Sequence, residues 1–523
     1  MPPPALPPVT EGWRLTKAAA SGRRGVVVSQ CRAGAEAGVA ILEAGGNAVD
    51  AAVGTAMALA SQEPWNSGLG GYGGFAVVHR AGQARAEVVD FGPVAPRGLT
   101  PAAFRLTGRM SETGFRWPEV EGDANVHGPL SVAVPAAVAG CEALHTRWGR
   151  LPLGEVMAPA VALARQGLRL DWFAALKIAA AARDLRRYAE SARVYLRDGL
   201  PPVPPAEGNP GVIPLGGLAA TMERLARAGW RDFYEGEIAA AFVRDQKAVG
   251  GVIDAEDLRG CVARVVPAVE APWRGGRVLQ LAGGMTATPA LLPVLEAMRE
   301  AEYGAVPDAA WYRRLAGALR SAYAARLDDY GESGGGETCT THLTVCDGEG
   351  TMVAMTTTLM AGFGSRVVLP ETGILLNNGI MLFDPRPGRA ASLAPGKRAL
   401  TNMAPFVLRE GDAPVMAGGA SGGRHIMAAV FQLMSYVADF GMDPEAAAHA
   451  ARISVAGPEK VAVDAGLGAE VAAALAADGA VEVVRRYVMP ANFANPNLIA
   501  RAADGTATGV ADDRSPWSAA LAR

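Results

Sequence analysis

Cysteine is scarce: five in 523 residues, at positions 31, 141, 261, 339 and 346, an odd number with no CxxC spacing. That excludes a disulfide scaffold or a structural zinc site as the organising principle. Histidine is nearly as sparse, six in all, and no pair stands at HxxxH or HExxH spacing. Neither a metal nor any other cofactor is expected. No charge sign dominates: Lys+Arg 49 against Asp+Glu 52 gives a net charge of −3, and no basic block stands out. The electrostatic footprint of a nucleic-acid partner is therefore missing. No unbroken apolar run approaches the ~20 residues that cross a bilayer. The opening Met1-Pro2-Pro3-Pro4-Ala5-Leu6-Pro7-Pro8 lacks the basic-then-apolar order of a secretory signal. The expectation is a cytoplasmic protein that engages neither nucleic acid nor membrane.

What is present is apolar material, 50% of the chain, with 19% charged. That suffices for two or three domains or one large layered unit. The chain reads as strand Gly25–Ser29, two helices over 33–60 broken at Gly45-Gly46-Asn47, and strand Phe75–Val78. Ser131–Pro135 reads as a strand, and an α-rich stretch follows to about 260. Strands near 263–270 and 276–281 and helices near 288–301 and 308–329 come next. Gly68-x-Gly70-x-x-Gly73 matches a dinucleotide fingerprint, but a helix precedes it and a strand follows. That is the reverse of the context a phosphate loop needs, so its glycines are read as close backbone packing.

The informative stretch is Glu337-Thr338-Cys339-Thr340-Thr341-His342. Upstream runs Gly331-Glu332-Ser333-Gly334-Gly335-Gly336, with maximal backbone freedom. Downstream, His342–Cys346, the turn Asp347-Gly348-Glu349-Gly350 and Thr351–Thr358 form a predicted hairpin. A cut before Thr340 would place its hydroxyl and its new α-amine together at a strand end, nucleophile and base in one residue. An α-amine titrates near 7.7–8.0, so a useful fraction is neutral around pH 7. The alternatives are an ordinary hairpin after a glycine loop, or Cys339 as nucleophile.

Gly419-Ala420-Ser421-Gly422-Gly423 matches G-x-S-x-G between a strand and a helix, which suggests a serine hydrolase. The acid and histidine it needs are limited to Asp439, Asp443 and His449, all on the helix after the turn or just past it. The same turn suits an oxyanion hole built from the Gly422 and Gly423 amides, where one donor is worth about 10²–10³ in rate. His342, alternating with Thr341, is read as support for the nucleophile.

These residues resemble the γ-glutamyltransferase family of N-terminal nucleophile hydrolases, over about residues 25–515. The similar stretches include Gly45–Ala52, Glu63–Gly74, Asp90-Phe91, Ser131–Pro135 and Phe233–Gly236. More specific are Thr340-Thr341-His342, Gly373–Asn378 and Ser421-Gly422-Gly423. The resemblance implies an α+β fold, a four-layer αββα sandwich with an α-rich lobe, and a precursor that cuts itself between Cys339 and Thr340. A Pro-rich lead (1–25), a large subunit (26–339) and a small subunit (340–523) would result, the two subunits forming a heterodimer. Thr358 falls where the family places a threonine that hydrogen-bonds the nucleophile, and Gly422 and Gly423 fall on the oxyanion glycines. Thr341, Asn378, Thr401, Asn402, Arg366 and Arg424 are the candidate substrate contacts.

The head-group machinery departs from the family. Gly92 stands in place of the arginine that grips the glutamyl carboxylate, and Leu382 in place of the acid for the α-amine, with Asp384 out of register. Met360 replaces an asparagine, Thr401 and Asn402 replace paired serines, and the covering loop at 385–396 is shortened. Each lost charged contact costs about 1.5–3 kcal/mol, so glutathione is not the expected substrate. The expectation is a small amide or acyl compound without a γ-glutamyl head, its anionic group read by Arg366, Arg398 or Arg424. The alternatives are an authentic γ-glutamyl transferase with contacts re-formed elsewhere, a C–C bond hydrolase, or an uncut, non-catalytic binding protein.

Overall fold

The computed structural model describes residues 15–111, 117–330, 339–485 and 492–523. The glycine run at 331–336, together with Glu337 and Thr338, lies outside them. Two seven-stranded antiparallel sheets stack face to face. The first runs, edge to edge, Ala519–Ala522, Gly25–Ser29, Cys339–Asp347, Met352–Met360, Gly73–His79, Glu87–Phe91 and Arg264–Pro267. The second runs Ala20–Gly22, Ala507–Ala511, Asn495–Arg501, Ala413–Ser421, Phe406–Glu410, Arg277–Leu281 and Val269–Pro272.

Strand residues alternate between faces with period two, and the Val26-Val27-Val28 run shows the consequence. Val26 and Val28 point between the sheets, with Phe75 and Val77, against Val407, Ala417 and Ile499 of the second sheet. Val27 points outward, into a core built with the helices Arg32–Glu43, Ala48–Gln62 and Leu153–Gln166. Leu281, Phe406 and Met416 of the second sheet face outward onto helices Thr288–Arg299, Ala309–Tyr330 and Ile426–Ala438. The layering is helix, sheet, sheet, helix, the αββα sandwich expected.

Local signals explain the element ends. Asn47 opens the second helix with a full capping box, its side chain accepting from Val49 and Asp50 while Asp50 accepts from the Asn47 amide. Such a cap is worth about 1 kcal/mol. The segment read as one strand over 263–270 is two. Arg264–Pro267 pairs with Glu87–Asp90 in the first sheet, and Val269–Pro272 pairs with Arg277–Leu281 in the second. Pro267 has no amide to continue the first ladder, and the chain crosses between sheets there. Ser131–Pro135 is not a strand: Pro129–Ser131 is a 3-10 turn. The amide and carbonyl of Ala133 are held by the Asn377 side chain at 3.0 and 2.9 Å rather than by a neighbouring strand.

The division at 25 also needs correction. Ala20–Gly22 pairs with Ala507–Gly509, and the Lys17 amide donates to His449, so the end of the Pro-rich lead belongs to the second sheet. The halves on either side of residue 340 are not separate domains. Each sheet interleaves strands from both, and Cys339–Asp347 lies between Gly25–Ser29 and Met352–Met360. Two fragments produced by a cut there would remain joined through both sheets. Among the described residues, no helix is long and apolar enough to cross a membrane. Nor is any group of three or more His, Cys, Asp or Glu placed to hold a metal ion.

Candidate active site

Thr340 is the second residue of the strand Cys339–Asp347 and is buried at the strand's leading end. Cys339 pairs with Met360 and Thr341 with Thr357, so the register slips by one residue between them, a bulge at the candidate cleavage point. The Thr358 hydroxyl donates to the Cys339 carbonyl, the carbonyl that Thr340 Oγ would have to attack. The Thr358 hydroxyl oxygen itself accepts from the Met360 amide at 2.7 Å. Met360 has φ 92°, a conformation that costs a side-chain-bearing residue on the order of 1–3 kcal/mol. The strained turn is pinned by Thr358 and by Asn378, whose Oδ1 accepts from the Ala361 amide at 2.9 Å.

Two residues along the strand, His342 points between the sheets. Its ring bonds Thr356 Oγ1 (2.8 Å) and Thr344 Oγ1 (3.2 Å). Thr344 donates to Asn497 of the second sheet, and Asn497 donates back to the His342 carbonyl. Burial pulls the imidazole down to about 3, so it is neutral at any ordinary pH. The ring lies against Gly419, where a Cβ would come within 2.3 Å of it. His342 is thus an inter-sheet rivet that fixes the strand carrying Thr340.

The second sheet contributes the turn. Strand Ala413–Ser421 ends in Gly422 (φ 132°) and Gly423 (φ 55°), then a 3-10 turn Gly423–His425 runs straight into helix Ile426–Ala438. A Cβ on Gly422 would sit 2.8 Å from Ala494 Cα. The two glycine amides thus open a continuous helical run at its positive end, where negative charge is stabilised. Gln30 lies one residue beyond the register pair Ser29–Leu343 and donates to Ser421 Oγ at 2.6 Å, tying this turn to the Thr340 strand.

Among the described residues, Ser421 has no histidine bonded to it, its hydroxyl being met by Gln30. His425 bonds Ser454, and His449 bonds the Glu445 carbonyl and the Lys17 amide. Asp439 is engaged by Arg277 and Trp273, and Asp443 caps its own helix. The serine-hydrolase alternative therefore lacks its base.

Several candidate substrate contacts make bonds within the protein. Thr341 is fully buried on the face opposite His342, beside Glu63, so it cannot meet a ligand between the sheets. The Asn378 amide is spent on Ala361 and the Val126 carbonyl. The Thr401 hydroxyl donates to the Met285 carbonyl at 3.0 Å, and Asn402 Oδ1 accepts from Arg326 at 2.9 Å. Arg366 donates to the Gly364 carbonyl and stands 4.0 Å from Asp184. Arg424 is buried at the start of the helical turn, its carbonyl accepting from the Tyr323 hydroxyl. Asp384 is held by Arg386 and Arg389 of its own loop.

Sequence reasoning missed Gln30 and Arg326. Arg326 bridges the Thr286 and Thr401 carbonyls and Asn402. It continues the buried stripe Leu315, Leu319, Ala322, Tyr323, and a charge on an apolar stripe was a readable signal. Gln30 sits just past a strand end and carried none. Glu63 was visible only as part of a motif. Its carboxyl is pushed up to about 7 by burial, opposed by the Asn66 side-chain amide, which donates to Oε1 at 2.6 Å.

A shallow recess is lined by Trp117, Met285, Leu382, Phe383, Lys397 and Arg398 among others.

The chain is similar to known proteins. The chain is 32% identical over 547 residues to an Acylase ACY 1 proenzyme of Pseudomonas sp. (strain SE83), covering 97% of this chain and 95% of that one. It is 28% identical to a glutathione hydrolase proenzyme of Bacillus subtilis (strain 168), over 83% and 81% of the two chains. The crystal structure of cephalosporin acylase from Bacillus halodurans superposes with a TM-score of 0.85 at 25% identity, covering 99% of each chain. The family model described as gamma-glutamyltranspeptidase matches residues 34–335 and 332–522. With the sandwich, the strand-end threonine and the glycine turn in place, the chain belongs to the gamma-glutamyltranspeptidase family of N-terminal nucleophile hydrolases.

Proposed function

We propose that this enzyme matures by cutting itself before Thr340 and then hydrolyses a small amide through an acyl-enzyme on Thr340 Oγ. The observation that carries this reading is the Thr358 hydroxyl donating to the Cys339 carbonyl in the uncut chain. In maturation, Thr340 Oγ attacks that carbonyl, and the C–N bond breaks to leave an ester and a free α-amine. Water then cleaves the ester, returning the hydroxyl and leaving Cys339 with a carboxylate.

In turnover the freed amine takes the hydroxyl proton as Oγ attacks the substrate carbonyl. The Gly422 and Gly423 amides stabilise the oxyanion, and the protonated amine product departs. Water then releases the acid. The relatives named acylases, and the replacement of the glutamyl head-group contacts by Gly92, Leu382 and Met360, favour an acylase reading over glutathione hydrolysis. The large and small fragments, interleaved in both sheets, act as one heterodimer.

The test is N-terminal sequencing of the smaller fragment together with Thr340→Ala. The fragment should begin Thr-Thr-His-Leu, and the variant should neither mature nor turn over an acyl p-nitroanilide. A start at Cys339 or Thr341, or normal maturation of the variant, would assign the nucleophile elsewhere.

A further inference from the structure

Behind the strand that carries Thr340, three buried polar atoms find no partner in the protein. Two come from the turn after helix Ala48–Gln62. Glu63 caps that helix, and the Ser67 amide donates to the Glu63 carbonyl at 3.1 Å. The two side chains therefore stand one helical turn apart, on one face. Glu63 Oε1 accepts from the Asn66 side chain at 2.6 Å, whereas Glu63 Oε2 and Ser67 Oγ are unmatched among the described residues.

Thr341 supplies the third atom. It shares the outward face of its strand with Leu343 and Val345, which pack in the core built with helix Ala48–Gln62. It is fully buried beside Glu63, and its hydroxyl bonds nothing among the described residues. Thr357, opposite it in the ladder, donates its own hydroxyl to the Gly73 carbonyl. The strand end at Thr340 and Thr341 is also thinly held. Pairing with Gly25–Ser29 begins only at Leu343, and pairing with Met352–Met360 slips between Cys339 and Thr341.

Buried polar groups are satisfied by protein or by ordered water, and a buried water makes about three hydrogen bonds. Burial raises the Glu63 carboxyl to about 7, so at neutral pH and below it has a proton to donate. One water could then accept from Glu63 and donate to Ser67 Oγ and Thr341 Oγ1.

We infer that Glu63, Ser67 and Thr341 hold one internal water, and that Glu63 acts through it as a positioning residue for the nucleophile. A bridging water is nearly as good a link as a direct hydrogen bond. Here it ties the outward face of the strand end to the end of a buried helix, the lateral support that the missing ladder does not give. It lies on the face turned away from the space between the sheets, so it takes no part in the chemistry. A displacement of about 1 Å at a reacting group costs on the order of 10²-fold in rate. The inference rests on Thr340 being the nucleophile and adds to that reading the residue that holds it in place.

The experiment measures kcat and KM for an acyl p-nitroanilide, per cleaved enzyme as judged on a denaturing gel. Glu63→Leu and Thr341→Val should each lower kcat by about 10- to 100-fold with KM little changed. The double variant should be no worse than the worse single one, because both remove the same bridge. Glu63→Gln, which keeps a donor and an acceptor, and Thr341→Ser, which keeps the hydroxyl, should each recover most of the loss. A crystal structure of the wild-type enzyme should show a water within about 3.2 Å of all three atoms.

Losses that multiply in the double variant overturn the inference and leave Thr340 as nucleophile. So does a Thr341→Ser enzyme as impaired as Thr341→Val, or a crystal structure in which the three side chains bond one another directly. Normal maturation and turnover in Thr340→Ala would instead remove the reading on which it rests.

Discussion

Replacing Thr358 with valine keeps the shape of a buried side chain and removes one hydroxyl, which in the uncut chain serves two groups at once. It donates to the Cys339 carbonyl and accepts from the Met360 amide. Losing the donor withdraws stabilisation from the oxyanion that forms on that carbonyl during self-cleavage. By analogy with oxyanion-hole deletions the slowing is about 10²–10³-fold, equivalent to about 2.7–4 kcal/mol. Losing the acceptor leaves a buried amide unpaired in a left-handed turn, a further ~1–3 kcal/mol of folded stability.

Thr358→Ser separates these effects, because it keeps the hydroxyl and loses only a methyl group, worth about 1 kcal/mol. Fragment appearance followed over time on a denaturing gel, with a urea melt for each variant, measures both quantities. The serine variant should mature within about tenfold of the wild-type rate while the valine variant lags by two orders of magnitude or more. Equal maturation of the two would refute the assignment of Thr358 to the cleaved carbonyl.

Two other expectations follow from the same geometry. Burial holds the Glu63 carboxyl at about 7, whereas in the unfolded chain it titrates near 4.3. Between those pH values the native state binds the extra proton, so stability falls as pH rises from about 4.3 to 7, by roughly 3 kcal/mol in all. Glu63→Gln should flatten that slope in urea melts across the range, and an unchanged slope would show that the carboxyl is not held protonated. Ser421 Oγ accepts from Gln30 but has no base, so Ser421→Ala should retain turnover to within about tenfold, the worth of one hydrogen bond. Loss as complete as that in Thr340→Ala would revive the serine nucleophile.

Much of the architecture could be read without coordinates, for local reasons. The helix break at Asn47, the hairpin at 342–358 and the glycine turn at 422–423 are each specified by residues adjacent in sequence: a cap, an alternating pair of strands, a turn. Thr340 at its strand end and the Gly422-Gly423 turn stood out the same way, since each lies where one element gives way to another. The substrate contacts fared worse. Thr341, Asn378, Thr401 and Asn402 are polar and next to the site in sequence. Whether a polar side chain meets a ligand or a backbone carbonyl depends on which segment folds across it.

The chain's own order of residues determined the layering, the threonine at the strand end and the glycine turn, because periodicity and turn residues act over a few positions. Only the tertiary structure decided that Arg398 fills the space beside Gly92, that Gln30 reaches Ser421 and that Thr358 meets the Cys339 carbonyl. Arg398 and Gly92 are about three hundred positions apart and are joined by a short ladder between two loops. No local pattern encodes that pairing, because its energy comes from packing two distant segments against the same pair of sheets.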